Sequence, residues 1–218
     1  MNKKQQMLLP SDECILYLLR HGEITTPGIL AGKTNVALSE LGHKQVLQAN
    51  KFIKNIDRCI SSPLIRCYES ARLYCHQKNL PLEVESKIQE MNFGDWDGKS
   101  YQELWRINSQ PSNGSLTTSA IGNFWQNPWQ NQPPNGETMD HFVTRVDSWW
   151  QNFCTESRLQ NTLVFTHAGV IKHLLARVLN LPIPGTAHMT LIDVPYASLI
   201  KVSLYRDENG KVWSKLVL

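Results

Sequence analysis

The sequence predicts an α/β fold: a three-layer α/β/α sandwich around a mostly parallel sheet. Three observations carry this expectation. Two short apolar runs, Cys14–Leu19 and Leu163–Thr166, have the length and composition of strands buried on both faces, as parallel strands are. Two further short runs, Arg58–Ser61 and Leu82–Glu85, lie between them, and segments with helical apolar spacing separate the set. Near the end, Ala197–Tyr205 alternates like a strand, Asn209-Gly210 makes a hairpin turn, and Lys211–Val217 returns, so a β-hairpin closes one edge of the sheet.

Taken in order, the first strand stops abruptly at Arg20-His21-Gly22-Glu23. Open α/β sheets handle ligands at the carboxyl ends of their strands. A planar cation suited to phosphate oxygens and an imidazole able to act as a nucleophile are therefore placed there for chemistry, with a plain strand-end ion pair as the other reading. The loop Ile24–Val36 carries Pro27, Gly28 and Gly32, and could wrap a small anion with its N–H groups and with the hydroxyl of Thr25 or Thr26. Ser39 reads as the N-cap of a helix through about Asn55, with Leu41, Val46, Ala49 and Ile53 near helical spacing.

After Arg58–Ser61, Ser62 as N-cap and Pro63 at the first helical position start a second helix. Arg66 then falls in the first turn, where the helix dipole disfavours a cation. An anion lying on the helix N-terminus would explain it; a surface pair with Glu69 is the alternative. Glu90 leads into Met91-Asn92-Phe93-Gly94-Asp95-Trp96-Asp97-Gly98, where a carboxyl beside apolar walls can serve as a general acid or be plain solvent-exposed surface. From Ser109 to Gly136 the composition turns to Asn, Gln, Ser, Thr and Pro, interrupted by Phe124, Trp125 and Trp129. Those rings must pack somewhere, so this stretch reads as part of an insert, at about 100–136 of a single 1–218 domain, that covers a site.

Thr138–Arg158 is the clearest helix, with Met139, Phe142, Val143, Val146, Trp149 or Trp150, and Phe153 on one apolar face. The strand Leu163–Thr166 ends in His167-Ala168-Gly169 before a helix from Val170 to Asn180, repeating the strand–His–small residue logic of the first motif.

The 218 residues suit one domain with a real core, and the balance of 41% apolar to 19% charged is that of a globular chain. A net charge of +3 without any Lys/Arg cluster does not point to nucleic acid. Five scattered cysteines read as reduced, buried thiols in the cytoplasm. The stretch Met1–Pro10 is too short and polar for a signal peptide, and no segment approaches a membrane span. Seven histidines occur without metal-ligand spacing, so neither a metal nor another cofactor is expected. The oligomeric state stays open, a homodimer included.

Two strand-end histidines, two arginines and a carboxyl make a set that phosphoryl transfer can use, since its catalysis is mostly positioning and cationic donors. Four motifs, Arg20-His21-Gly22-Glu23, Ser61-Ser62-Pro63 with Arg66, Glu90 with Phe93–Gly98, and Thr166-His167-Ala168-Gly169-Val170, resemble those of the histidine phosphatase (phosphoglycerate mutase-like) superfamily, in order and spacing over nearly the whole chain. The resemblance implies a phosphohistidine mechanism: His21 as nucleophile, Arg20, Arg66 and His167 holding the phosphoryl oxygens, and Glu90 as acid and then base. It also places Thr25 or Thr26, Gly32 and Ala168 near a small phosphomonoester substrate, although relatives often carry an Asn where this chain has the two threonines.

Gly32–Glu40, Pro133–Thr138 and Val194–Ser198 resemble the α-ribazole phosphatase branch of that superfamily, which implies α-ribazole 5′-phosphate or adenosylcobalamin 5′-phosphate as substrate. Trp125 and Trp129 could then stack on the substrate base. A broad-specificity phosphatase is one alternative. A phosphoglycerate mutase is another, but it would need extra cations near the site, and no Lys or Arg lies between Ile107 and Asp140. A non-catalytic phospho-ligand binding module would keep the arginines and lose His21 or Glu90.

Overall fold

The computed structural model describes residues 12–107, 119–156, 158–184 and 187–218. In chain order the elements are β1 (Asp12–Arg20), α1 (Glu40–Asn50), β2 (Arg58–Ser61), α2 (Ile65–Lys78), β3 (Leu82–Val84), α3 (Tyr101–Arg106), α4 (Ala120–Gln126), α5 (Met139–Thr155), β4 (Thr162–Thr166), α6 (Ala168–Val178), α7 (Ala187–Leu191), β5 (Leu199–Arg206) and β6 (Val212–Val217). Short 3₁₀ turns at Ser86–Ile88 and Gly94–Trp96 frame the segment after β3. One sheet runs β3-β2-β4-β1-β5-β6. The β3-β2, β2-β4 and β4-β1 pairs are parallel, and the β5-β6 hairpin joins β1 antiparallel. This is the expected mostly parallel sandwich with its hairpin at one edge.

Alternation along the strands builds the three layers. Leu16, Leu18, Ile60 and Val164 point into one core, shared with Phe142, Val146, Val170 and Leu174 of α5 and α6. Tyr17, Leu19, Cys59, Leu163 and Phe165 point into the other, against Val46 of α1 and Cys67, Ala71 and Tyr74 of α2. Burial on both faces is why these strands read as continuous apolar runs. Among the described residues no helix is long and apolar enough to cross a membrane. The stretch Met1–Pro10 and most of the polar run between Ile107 and Ser119 lie outside the described residues.

Several boundaries differ from the sequence reading, each for a local reason. Ser39 does cap α1, its Oγ accepting from Gly42 N at 3.0 Å. The helix ends at Asn50 instead of about Asn55, because its ladder tightens to Lys51 N–Gln48 O and Phe52 N–Ala49 O bonds and Asn55 turns left-handed. Ser62 does not cap α2, which begins at Ile65. Its first N–H is capped from across a loop by Asn35 Oδ1 at 2.8 Å, and Ser62 Oγ faces His167. The last long helix starts at Ala168, earlier than expected, since the extended His167 is its cap residue and its carbonyl accepts from Ile171 N.

The chain leaving β1 passes so close to α1 that a Cβ on Gly22 would sit 2.2 Å from the carbonyl oxygen of Gly42. Both groups are backbone, so neither can swing away. Gly22→Ala is expected to cost about 1–3 kcal/mol, the usual scale of overpacking, seen as a lower urea midpoint. An unchanged midpoint would mean that this turn relaxes freely.

Candidate active site

The register of the central strands assembles the site. Arg20 on β1 pairs with Thr166 on β4, and Ser61 on β2 with Phe165 on β4. The residues that follow therefore leave three neighbouring strands side by side: His21, His167 and Ser62. His21 N–H donates to Thr166 O at 3.1 Å, and the two imidazole centroids are 5.3 Å apart. His167 Nε2 is 2.8 Å from Ser62 Oγ.

A single bond decides the His21 tautomer. Its Nδ1 lies 2.8 Å from Gly22 O, and a carbonyl can only accept, so Nδ1 carries the hydrogen and Nε2 keeps its lone pair. Burial, followed by the charges of Arg66 and Arg20, holds the His21 pKa well below its usual value, so the ring is neutral at neutral pH. Burial and then Arg66, with His21 and Arg20 behind it, do the same to His167.

A cleft of about 310 Å³ opens over these strand ends. Of the residues singled out in the sequence, Arg20, His21, Glu90 and Ala168 line it. The Arg20 guanidinium lies over the Tyr196 ring at 4.2 Å and donates to Val194 O. The Glu90 carboxylate accepts from Met91 N and from Gly169 N, each at 3.0 Å, and so rests on the positive end of α6. A Cβ at Gly169 would come within 2.3 Å of Glu90 Oε1, so this contact requires a glycine.

Arg66 and His167 are fully buried and stand behind this surface instead of lining it. Arg66 is no surface partner of Glu69: its Nη1 donates to Thr34 O and its Nη2 to Ala31 O and Gly32 O. The same loop turns its N–H groups the other way. Asp97 accepts from Gly32 N, Lys33 N, Thr34 N and the Thr34 hydroxyl, and also from Phe93 N. One carboxylate thus shapes the loop whose carbonyls hold a buried guanidinium.

The remaining residues expected near the substrate, Thr25, Thr26 and Gly32, do not line the cleft. Thr25 and Thr26 are exposed, and the Thr25 N–H donates to Ala37 O at 3.0 Å. Gly28, Ile29, Leu30 and Ala31 line the cleft from this loop instead. Gly32 serves Arg66 and Asp97 rather than the cleft. Trp125 reaches the cleft, whereas Trp129 packs against the core.

The family model described as histidine phosphatase superfamily (branch 1) matches residues 16–215. The chain belongs to that superfamily. It is accordingly a phosphoric monoester hydrolase. It is 29% identical over 178 residues to an adenosylcobalamin/α-ribazole phosphatase of Salmonella typhimurium, across 79% of this chain and 83% of that one. Among solved structures it resembles an α-ribazole phosphatase from Shigella flexneri, with a TM-score of 0.73 at 23% identity over 94% of this chain and 95% of that one. A mycobacterial glucosyl-3-phosphoglycerate phosphatase gives a TM-score of 0.75 at 20% identity, covering 94% and 98%. These two likenesses speak for the fold.

In this histidine phosphatase the cleft also has members beyond the expected catalytic set. Phe93, Tyr101 and Trp125 form an aromatic side, with Met189, Asp193 and Tyr196 also lining the cleft. Lys172, whose Nζ donates to Met189 O at 2.9 Å, adds a second cation to the lining. It lies one helical turn beyond Ala168, and that i,i+4 spacing was the one signal that could have exposed it. Tyr101 lies within the Ser100–Glu103 capping box at the start of α3, and nothing in its neighbourhood marks it.

His21, His167 and His188 all have lowered pKa values; burial is the first cause in each, and His188 falls to about 4. Below about pH 6.5 the unfolded chain takes up protons on these rings that the folded chain refuses. Stability is therefore lost as pH falls from 7 towards 5, each ring contributing up to about 1.4 kcal/mol per pH unit. Urea unfolding at a series of pH values tests this, and a flat profile between pH 7 and 5 would contradict the neutral buried histidines.

Proposed function

We propose that this histidine phosphatase hydrolyses phosphomonoesters through a covalent phosphohistidine on His21, with α-ribazole 5′-phosphate or adenosylcobalamin 5′-phosphate as substrate. The observation that carries the chemistry is the His21 Nδ1–Gly22 O bond, which leaves Nε2 free on a neutral ring lining the same cleft as Glu90. Nε2 attacks phosphorus, the ester P–O bond breaks, and the Glu90 carboxyl gives its proton to the leaving oxygen. Water then attacks the phosphohistidine and returns a proton to Glu90. The P–N bond breaks, inorganic phosphate leaves, and His21 is restored.

Arg20 donates to the phosphoryl oxygens from the cleft surface, and Arg66 and His167 act on them from the buried layer behind it. All the positive charge this scheme needs comes from side chains. The substrate reading is supported by likeness to the Salmonella enzyme and by the aromatic side of the cleft, where Tyr101 and Trp125 offer faces for a flat base and the insert serves as cover. We place the enzyme in the cytoplasm, in keeping with its five free cysteines.

His21→Ala is expected to abolish turnover. Glu90→Gln should slow it by roughly 10²–10⁴-fold while inhibition by inorganic phosphate stays nearly intact. A His21→Ala variant that keeps more than about a hundredth of the activity would remove the nucleophile assignment. The substrate is tested by kcat/KM with EDTA present, setting α-ribazole 5′-phosphate beside sugar phosphates, phosphoglycerates and p-nitrophenyl phosphate. The expected result is a clear preference for α-ribazole 5′-phosphate that Trp125→Ala reduces. Low, similar values across the panel would leave a broad-specificity phosphatase.

A further inference from the structure

We infer that Arg145, locked to Glu137, is the positioning residue that sets Glu90 for proton transfer. This rests on Glu90 being the acid of the proposed reaction.

Arg145 leaves the middle of α5 and does not line the cleft, yet every N–H of its guanidinium is used. Nε and Nη2 hold Glu137 Oε1 and Oε2 at 2.7 and 2.9 Å, a bidentate pair. Nη1 donates to Lys87 O at 2.7 Å and Gln89 O at 2.8 Å, and Nη2 to Glu90 O at 3.1 Å. Glu137 closes the other side: its Oε2 accepts from Asn92 N at 3.2 Å, and its own N–H donates to Asn92 O at 2.7 Å. One ion pair therefore grips the backbone at residues 87, 89, 90 and 92, on both sides of the catalytic carboxyl.

Ile88 and Met91 bury their side chains in the core and Thr166 Oγ1 donates to Ile88 O at 2.8 Å, but the carbonyl of Glu90 itself is held by Arg145. Between the 3₁₀ turns at Ser86–Ile88 and Gly94–Trp96 the chain belongs to no helix or strand. Glu90 reaches Gly169 N by a single hydrogen bond, and a small slide of the backbone would break it. The pair is itself well buried, with Glu137 6% and Arg145 18% exposed, so its geometry is held by low-dielectric surroundings and by the Phe142 ring under the guanidinium at 4.8 Å. Lysine cannot replace this arrangement, because an ammonium is a point charge that cannot span three carbonyls and a carboxylate.

The test is leaving-group dependence. An alkyl phosphate needs its leaving oxygen protonated, whereas p-nitrophenyl phosphate departs as a stable phenolate and needs the acid little. Arg145→Lys keeps a cation beside Glu137 and loses the fork. It is expected to lower kcat/KM for an alkyl phosphate by about 10–100-fold and for p-nitrophenyl phosphate by less than about 3-fold. Its Ki for inorganic phosphate should stay within about 3-fold of the parent, since the anion site is untouched. Should Arg145→Lys fail to fold, Glu137→Gln, which keeps the shape and removes the charge pair, provides the same comparison.

Glu90→Gln should show the same selectivity more strongly, and adding Arg145→Lys to it should cost little more, because both act on one step. Equal losses on both esters, or additive losses in the double variant, would overturn the positioning role and leave Arg145 a stabilising contact only. If Glu90→Gln itself lost activity equally on both esters, the acid assignment would fail, and the inference with it.

Discussion

The parallel pairing of β1 with β4 is the constraint on which the rest depends. Because Arg20 stands opposite Thr166, the two chains leave the sheet together and His21 donates its N–H to Thr166 O. Two imidazoles that are 146 residues apart in sequence thereby become neighbours. The pairing forms only because both strands are apolar on both faces, so that helices can cover the sheet from either side. Burial of Leu16, Leu18, Val164 and their neighbours thus has a chemical consequence at the strand ends.

Around that pair the protein concentrates positive charge in a poorly solvated place, which is costly unless each cation is held. Arg66 shows how it is managed. Burial pulls its pKa down, while the carboxylates of Glu90 and Asp97 act in the opposite direction. Three carbonyls take its terminal N–H groups, and Asp97 fixes the loop that supplies them. The same buried charge also helps to keep His21 neutral.

Glu90 is handled differently, by backbone donors instead of by a strand. It sits in an irregular segment between two 3₁₀ turns, tied to the N-terminus of α6 on one side and to Arg145 and Glu137 on the other. In the proposed reaction this carboxyl both gives and takes a proton, which needs a fixed position without a cation directly on its oxygens. Contacts from Met91 N and Gly169 N meet that need.

The sequence by itself determined the strands, the hairpin and the strand-end corners over which the cleft opens. Apolar runs that end at a glycine corner are local signals, and Arg20, His21 and Ala168 adjoin such corners, whereas Glu90 lies in an irregular segment four residues before Gly94. What only the tertiary structure decided were the partners. Asn35 rather than Ser62 caps α2, Thr25 and Thr26 face outward, Arg66 lies fully buried, and Lys172 and Tyr101 enter the cleft. Arg145 and Glu137 reach back across some fifty residues to the segment around Glu90. Periodicity reports which face of an element is buried, but not which distant loop will lie against it. That choice is made by packing between elements far apart in the chain, where a carbonyl, a carboxylate or a cap is accepted only if its distance and direction fit.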